Sequence, residues 1–492
     1  MRRANRGGPR ATAEPTLRRH NAAAAGLDIG AQEIWACVPT DRDTSPVRAF
    51  GTFTPDLHAL ADWLVRCEVT SVAMESTGVY WIPIYEVLEA RGLEVYLVNA
   101  RHLKHVPGRK SDVQDCQWIQ QLHSYGLLTA SFRPAQDMRV LRAYLRQRAM
   151  LLEHRAGHIQ HMQKALQQMN VQLPQVVSDI TGQTGLAILR AIVAGERDPQ
   201  VLARLRHGRC QRSEAEIAKA LSGHYRPEHV FALKQALALY DFYTAQVQEC
   251  DTYIEQHYAA IKPTYDDQTP PPPLGPTPKP NSHAKNAPAF DVRACLYRIL
   301  GVDLTATDGL EASSAQVLVA EVGTDMSKWP TEKHFASWLG LAPHNDISGG
   351  KVLRSKPLKG NRRAAQALRL AAQTLGRTQT ALGSYYRRLR ARKGPTPAIT
   401  ATAHKLARIL YHVLTHRTPY QPQSQETYEQ HLRQRAIRHL KRTATRLGFT
   451  LVPQPVAAGE FVSEQEPKAT KQSLPEKEIA SSLALLAMTA IP

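Results

Sequence analysis

Cysteine is scarce and scattered in this chain of 492 residues. Its six cysteines form no C-x-x-C pair, which excludes a zinc-ribbon spacing and the dense cysteine framework of a small secreted domain. We therefore predict free thiols in a reducing cytoplasm. The six positions are Cys37, Cys67, Cys116, Cys210, Cys250 and Cys295.

Long apolar runs are also missing. No stretch reaches the ~18–20 apolar residues of a membrane span, and the apolar stretch 479–491 is short and interrupted by Ser and Thr. The arginine-rich N-terminus lacks the apolar core of a secretory signal. Neither a nucleotide-binding G-x-x-x-x-G-K-[ST] motif nor an H-E-x-x-H zinc spacing is present. We predict a cytoplasmic protein without a nucleotide cofactor or a membrane partner.

Acidic residues are outnumbered by basic ones. The chain has 62 Lys and Arg against 43 Asp and Glu, a formal net charge of +19, and a pI near 9.7. Such an excess indicates a polyanionic partner and favours nucleic acid. The alternative at this level is a basic soluble protein with no nucleic-acid function.

The N-terminal part has an α/β pattern. Residues 1–22 are predicted to be a disordered basic arm, and residues 23–136 read as strand, hairpin, strand, helix, strand and helix. Apolar runs end at Asp28 and Glu75, and Ser111 with Gln114 forms a capping box for the last helix. This order fits a ribonuclease H-like sheet, but also several other α/β folds.

Two apolar seams at heptad spacing predict a helical arm over residues 137–262. The pattern is compatible with an antiparallel hairpin, a dimerising arm or an ordinary helical bundle. The first seam comprises Leu145, Leu152, Ile159 and Leu166 with Met162 and Met169, and the second comprises Val230, Leu233, Leu237, Tyr240, Val247, Ile254, Tyr258 and Ile261.

A proline-rich segment then marks a domain boundary. Residues 263–290 contain P-P-P-P-L-G-P-T-P-K-P and are predicted to be a linker. Residues 291–418 return to a globular, mostly helical pattern. Residues 419–492 are predicted to be a basic helix followed by a disordered tail.

Four acidic residues are candidates for a metal site. Asp28 interrupts an apolar strand, Glu75 follows the end of another, and Asp112 and Asp115 share one face of a helix. Carboxylates can hold two magnesium ions on a phosphodiester. Taken singly, each acid could instead serve a turn, a cap or a solvated helix surface, and Asp112 could offset a helix dipole.

A serine within a basic, glycine-rich stretch is the second candidate. Ser348 lies in N-D-I-S-G-G-K, which we interpret as a phosphate-binding loop entering a helix. The alternative is a solvated basic loop without a catalytic role. By residue type alone, Ser355 is as reactive as Ser348. Expected nucleic-acid contacts are Arg101, Lys104, Arg109 and Lys110 before the last acids, and Lys351, Arg354, Lys356, Lys359, Asn361, Arg362 and Arg363 after the serine.

At these residues the chain resembles the DEDD transposases of the IS110 insertion-sequence family, understood as bridge-RNA-guided recombinases. The N-terminal resemblance runs from Gly26 to about Arg148 and includes M-E-S-T-G-V-Y-W, V-N-A-R-H-L-K and G-R-K-S-D-V-Q-D-C-Q-W. The C-terminal one runs from about Val317 to Leu410 and includes F-A-S-W-L-G-L-A-P, S-G-G-K and K-G-N-R-R-A-A-Q-A-L-R.

The resemblance implies a RuvC-like domain whose acids Asp28, Glu75, Asp112 and Asp115 bind two Mg²⁺ ions, a coiled-coil arm, and a helical transposase domain with Ser348 as nucleophile. It implies donor and target DNA and a structured guide RNA as partners. It also implies a homo-oligomer, a dimer or tetramer, in which the two sites meet from different protomers. One departure is the family's glycine-rich hairpin, which is blurred here as G-V-D-L-T-A-T-D-G-L.

Two other functions fit part of this pattern. A RuvC-like junction endonuclease would hydrolyse DNA and use Ser348 only for binding. A non-catalytic, RNA-binding remnant of a transposon would bind RNA without magnesium and perform no DNA chemistry.

Overall fold

The computed structural model describes residues 18–76, 78–99, 112–265, 270–276, 285–357 and 360–452. Most of the predicted basic arm 1–22, the basic residues Arg101, Lys104, Arg109 and Lys110, Lys359, and the tail beyond 452 lie outside these residues. The described chain belongs to two compact units. One holds the chain up to Thr378 and from Leu382 to Pro422, and the other holds Gln379–Ala381 and the chain from Gln423 onward.

A five-stranded mixed sheet forms the N-terminal region. Its strand order is β3-β2-β1-β4-β5, in which β1, β2 and β3 are antiparallel neighbours and β4 and β5 run parallel to β1. The sequence patterns located β1, β2, β4 and β5 but missed β3. The strands are β1 Ala24–Ile29, β2 Glu33–Cys37, β3 Val47–Gly51, β4 Ser71–Glu75 and β5 Glu94–Val98.

Helices cover both faces of this sheet. The first two, α1 Thr54–Arg66 and α2 Trp81–Ala90, pack on the face that carries Leu27 and Met74. The third, α3 Asp112–Ser124, lies on the opposite face, where Ile119 joins Ala73 and Val98 in a smaller apolar cluster. Because side chains alternate along a strand, residues 26 and 28 of β1 and residue 75 of β4 lie on the face covered by α3.

The middle of the chain is entirely helical where it is described. Its two long helices pack as an antiparallel pair within one chain: Arg148 contacts Asp251, Arg155 contacts Thr244, and His257 contacts the backbone of Asp137. Four short helices between them bury a separate apolar core. The six helices are α4 Gln136–Gln168, α5 Leu173–Val176, α6 Gln183–Ala194, α7 Pro199–Ala203, α8 Glu214–Leu221 and α9 Pro227–Ala260.

The two predicted seams differ in accuracy. Residues of the second seam from Leu233 to Ile261 are buried. In the first seam Met162, Leu166 and Met169 are buried as predicted, whereas Leu145, Leu152 and Ile159 are only half-buried. In that earlier part of α4 the buried heptad positions are Leu141, Arg148 and Arg155. Two arginines occupy this seam because each has a polar partner there.

Those partners satisfy the buried guanidinium groups. Arg148 donates from Nε to Asp251 Oδ1 at 2.5 Å and from Nη2 to Oδ2 at 3.1 Å, and Arg155 donates to Asn286 Oδ1 at 2.9 Å. Asp251 also accepts a hydrogen bond from the backbone N–H of Ala289. The pair therefore fixes the end of the proline-rich linker against the arm.

The C-terminal region is mostly helical, with one β-hairpin and one large apolar core. In the described chain no helix is long and apolar enough to span a membrane. The helices are α10 Val292–Leu300, α11 Ala312–Val322, α12 Glu332–Trp338, α13 Arg362–Thr374, α14 Ala381–Lys393, α15 Pro395–His416 and, in the second unit, α16 Gln425–Arg446; the hairpin strands are β6 Pro343–Ser348 and β7 Lys351–Pro357.

Replacing Asp251 with Ala should destabilise the protein by roughly 3–5 kcal/mol, because the buried charge of Arg148 loses its partner. Urea unfolding measures the change. The matched control is Asp241→Ala, which removes an exposed ion pair with Arg190 at 3.1 Å whose side chains are 45% and 56% exposed; it should cost less than about 1 kcal/mol. Equal losses in the two variants would contradict the structural role of the buried pair.

Candidate functional site

Two of the four predicted acids lie side by side at the ends of parallel strands. Asp28 is half-buried near the end of β1, and Glu75 is the last residue of β4. The register pairs Leu27 with Met74, so the next step along both strands brings Asp28 level with Glu75. Both carboxylates therefore lie at the same edge of the sheet, on the face covered by α3.

A glycine allows α3 to approach this face closely. A Cβ atom on Gly26 would lie 2.3 Å from the backbone N of Gln120 and 2.4 Å from the backbone O of Cys116. The helix backbone therefore rests directly on β1, two residues before Asp28. Because α3 begins at Asp112, its first turn carries Asp112 and Asp115.

The position of α3 is also fixed by hydrogen bonds along its later turns. Gln120 donates to the backbone O of Ala24 at 3.2 Å, and the ring of the fully buried His123 lies 3.0 Å from Ser71 Oγ. Burial lowers the pKa of His123, which favours its neutral form. These polar contacts join the helix to the first residues of β1 and β4.

The charges of the four acids interact. The pKa of Asp28 is raised from 3.8 to about 6, first by burial and then by the negative charges of Asp115, Asp112 and Glu75. The sheet edge and the first turn of α3 thus bring all four carboxylates within electrostatic range of one another. In the described chain no three His, Cys, Asp or Glu side chains have the geometry of a formed metal site.

Two thiols lie beside this cluster. Cys116 follows Asp115 directly, and its thiol donates a hydrogen bond to the backbone O of Val113 at 3.1 Å. Cys37, the cross-strand partner of Gly26, interacts with Cys116, and this interaction lowers the pKa of Cys37 and raises that of Cys116. Both cysteines are free, as the sequence led us to expect, and both are buried.

Ser348 is located at the tip of a β-hairpin. It ends β6 and pairs with Lys351, the first residue of β7. Between them, Gly349 and Gly350 have φ values of +55° and +75°, and the resulting two-residue turn with two positive φ angles matches the right-handed twist of a hairpin. The prediction of a loop entering a helix is wrong, because α13 begins only at Arg362.

The hairpin is exposed along its whole first strand. Ile347, Val352 and Leu353 are 63%, 56% and 71% exposed, and the side chains of Lys351 and Arg354 are exposed beside them. In the described residues no histidine or carboxylate forms a hydrogen bond with Ser348; His344 Nε2 instead lies 3.5 Å from Asp346 Oδ1. Activation of this serine therefore needs a group from outside the hairpin.

The side chain of Asn361, predicted to contact nucleic acid, already has protein partners. Its Oδ1 accepts from the backbone N–H of Ala364 and caps α13, while its Nδ2 donates to Glu321 at 3.1 Å. Glu321 is nearly fully buried and also accepts from Arg146 at 2.9 Å, with Arg142 3.5 Å away. This network joins the arm helix α4 to the helix that follows the serine hairpin.

The glycine before this cap also serves the protein interior. A Cβ atom on Gly360 would lie 2.3 Å from both the carbonyl carbon of Leu339 and the carbonyl oxygen of Trp338. Its close backbone approach is therefore to α12 rather than to a ligand, unlike our interpretation from the sequence. Of the other predicted contacts, Arg363 is exposed.

Two cavities of about 570 and 580 Å³ contain none of the predicted site residues. The first is lined by residues of the short helices of the arm, including Thr184, His207 and Arg212. The second lies along α15 and includes Arg408 and His412. Ser348, in contrast, lies on a fully exposed strand, which a polymeric substrate can reach.

Sequence comparison matches two parts of the chain to transposase families. Residues 25–171 match the IS110-type DEDD model, described as "Transposase", and residues 303–387 match the model described as "Transposase IS116/IS110/IS902 family". Both matches support an IS110-family transposase. The first match contains all four acids, and the second contains Ser348.

A curated relative supports the assignment of this IS110-family chain. The "Insertion element IS110 uncharacterized 43.6 kDa protein" of Streptomyces coelicolor is 35% identical over 120 residues. The aligned part is 24% of this chain and 29% of the relative, so the chain covers less than one third of that protein's length.

Sequence reasoning missed the residues that position the acids. Gly26, Gln120 and His123 hold α3 against the sheet, yet none carries the chemistry that identifies a catalytic residue. One signal was available: a glycine within an apolar strand often marks a close backbone approach. Gly26 is such a glycine, two residues before Asp28 in the same strand.

Replacing Gly26 with Ala should destabilise the protein by roughly 1–3 kcal/mol, since the added Cβ overlaps the backbone of α3 and forces the helix away. Urea unfolding measures the change. The control is Gly157→Ala in α4, where a Cβ would meet nothing within 4 Å. This substitution should stabilise the helix by up to about 1 kcal/mol. An unchanged stability of the Gly26 variant would show that α3 does not rest on β1.

Proposed function

We propose that this IS110-family chain is a DNA transposase that cuts and rejoins DNA through a phosphoserine intermediate. One observation carries the proposal: half-buried Asp28 lies within electrostatic range of three further carboxylates, and burial together with their negative charges raises its pKa to about 6. Several carboxylates placed close together destabilise a folded protein by mutual repulsion unless a positively charged ligand binds them. The ligand we infer is Mg²⁺.

The sheet supports a ribonuclease H-like, or RuvC-like, assignment of the N-terminal region. Three antiparallel strands are followed by two strands parallel to the central β1, and the acids lie on β1, on β4 and on the helix that packs against β1. Ligands of open α/β sheets commonly bind at the carboxyl ends of parallel strands. The order of the elements alone does not distinguish this fold from others, so the position of the acids is the stronger support.

The donor set suits a hard divalent cation. Asp28, Glu75, Asp112 and Asp115 provide only oxygen ligands, which Mg²⁺ prefers, and two ions could share them. When bound, the ions would polarise the scissile phosphate and stabilise its developing negative charge. The four acids would keep the bound ions close to that phosphate. Gly26 sets the distance between the two acids on the strands and the two acids on the helix.

Ser348 is the proposed nucleophile. Its Oγ would attack the phosphorus atom and form a new O–P bond, while the bond from phosphorus to one strand's sugar oxygen would break. The proton of the serine hydroxyl would pass to the freed sugar oxygen, which becomes a hydroxyl. A free strand hydroxyl would then reverse the reaction on new DNA and restore the serine. The covalent link retains the phosphodiester's energy, in keeping with a sequence that lacks a nucleotide-binding motif.

Donor and target DNA are the proposed substrates, and a structured guide RNA the proposed partner. Their polyanionic backbones are complementary to a chain with a net charge of +19. Because the hairpin supplies no base for Ser348, we propose that acids of another protomer in a dimer or tetramer complete its site. Guidance by RNA rests on the family resemblance.

Replacing Asp28 with Asn should stabilise the metal-free protein at neutral pH. The folded pKa of about 6 exceeds the reference value of 3.8, so ionised Asp28 opposes folding, and this penalty grows between those two pH values and stays constant above them. After allowance for solvent screening we expect a gain on the order of 1 kcal/mol at pH 7 and none below pH 4.

Thermal unfolding with EDTA and with Mg²⁺ measures both parts of this prediction. Mg²⁺ should raise the melting temperature of the unaltered protein and have little effect on the Asp28→Asn variant. Asp137→Asn, in the first turn of α4, is the control and should respond to Mg²⁺ as the unaltered protein does. If Mg²⁺ still stabilised the Asp28→Asn variant, Asp28 would not be a ligand of the metal site.

Covalent trapping tests the serine. Protein, Mg²⁺, RNA transcribed from the flank of the gene and labelled DNA are mixed, denatured in SDS and separated on a gel. We expect a slowly migrating DNA adduct that disappears in Ser348→Ala and persists in Ser355→Ala. Cleavage without an adduct would favour a hydrolytic junction endonuclease, and RNA binding without any DNA chemistry would favour a transposon remnant.

A further inference from the structure

The last described helix carries an unusually one-sided charge. Helix α16 begins after Ser424, whose side chain caps it, and its two acids, Glu426 and Glu429, lie in its first turns. From Gln430 to Val452 the chain has six Lys and Arg residues and no Asp or Glu. The positive charge of this segment is therefore not balanced within its own sequence.

Four of these cations form a stripe along one face. At about 100° per residue, Arg435, Arg438, Arg442 and Arg446 fall within roughly 80° of one another, over about 16 Å of helix. All four are exposed, and none forms an ion pair with another described residue. We call these four residues the arginine stripe.

The arginine stripe disfavours the helix that carries it. Arg438 and Arg442, and Arg442 and Arg446, are i,i+4 pairs of like charge, each costing about 0.2–0.5 kcal/mol in an isolated helix. Among the described residues, the salt bridges pair none of the four arginines with a carboxylate, so this repulsion is not relieved by an ion pair. A row of phosphates along the stripe would remove the repulsion and replace it with charge-assisted hydrogen bonds, which guanidinium groups form in a bidentate manner.

We propose that the arginine stripe binds the phosphate backbone of duplex DNA independently of base sequence. Guanidinium groups spaced along one helix face can contact successive phosphates, and such contacts position DNA without selecting its sequence. The major groove of B-form DNA is wide enough to admit a helix, whereas that of A-form RNA is deep and narrow. The stripe lies outside the two family-matched segments, residues 25–171 and 303–387.

This inference adds a second DNA contact to the proposed function, and its test requires no catalysis. Binding of the full chain to a labelled DNA duplex of random sequence is measured in EDTA by fluorescence anisotropy over a range of salt concentrations. The stripe variant is Arg435→Gln with Arg442→Gln. The control variant, Arg433→Gln with Lys441→Gln, removes the same charge from other faces of the same helix.

We expect the slope of log affinity against log salt to become shallower by roughly 1.8 in the stripe variant, since two phosphate contacts are lost at about 0.9 each. The control variant should keep nearly the full slope. Circular dichroism confirms that both variants retain their helix content. This result stands even if the serine adduct is never observed, so the two proposals fail separately.

Three outcomes would overturn the inference. Equal weakening of binding in the two variants would show that DNA affinity depends on the net charge of the helix and not on the arginine stripe. Unchanged binding in both would show that the helix does not contact DNA. A stripe-dependent preference for an RNA duplex of the same sequence would assign the surface to RNA instead.

Discussion

The close contact between α3 and β1 is the constraint on which the candidate active site depends. Without a side chain at Gly26, the helix backbone reaches the strand, and the first turn of α3 brings Asp112 and Asp115 within electrostatic range of Asp28. The resulting repulsion favours a protonated Asp28 in the absence of a cation. The fold therefore stores unfavourable charge at one edge of its sheet, and stable packing elsewhere must offset it.

Buried charge serves a different purpose in the arm. Arg148 with Asp251 and Arg146 with Glu321 are pairs whose acids are nearly fully buried, so removing one partner is costly while the intact pair specifies position. The first pair fixes the linker end against the arm, and the second joins the arm to the cap of α13. Through these contacts, the serine-bearing region and the arm share a defined arrangement within one compact unit.

The sequence predicted what depends on local pattern and missed what depends on packing partners. Apolar periodicity and turn residues predict a strand over residues 69–74 and a helix over residues 80–91, each within about two residues of β4 and α2. Strand β3 was missed, since its sequence V-R-A-F-G shows little alternation and its pairing partner β2 determines it. The first half of the first arm seam was misplaced because arginine is not usually a core residue, although Asp251 and Asn286 provide partners that allow Arg148 and Arg155 to be buried there.

The same limit applied to the serine. The two glycines after Ser348 are compatible with either a phosphate-binding loop or a hairpin turn, and only the pairing of β6 with β7 identifies the hairpin. A hairpin has a consequence that a loop entering a helix would not have: its serine projects from the core, beside exposed apolar side chains and without a base among the described residues. Two of the acids lie at the sheet edge and two on the helix packed against it, so under the proposed mechanism the acids and the serine would form two half-sites that the substrate or a second copy brings together. Such a division would keep the proposed nucleophile inactive until the assembly forms, which would limit unwanted DNA breakage.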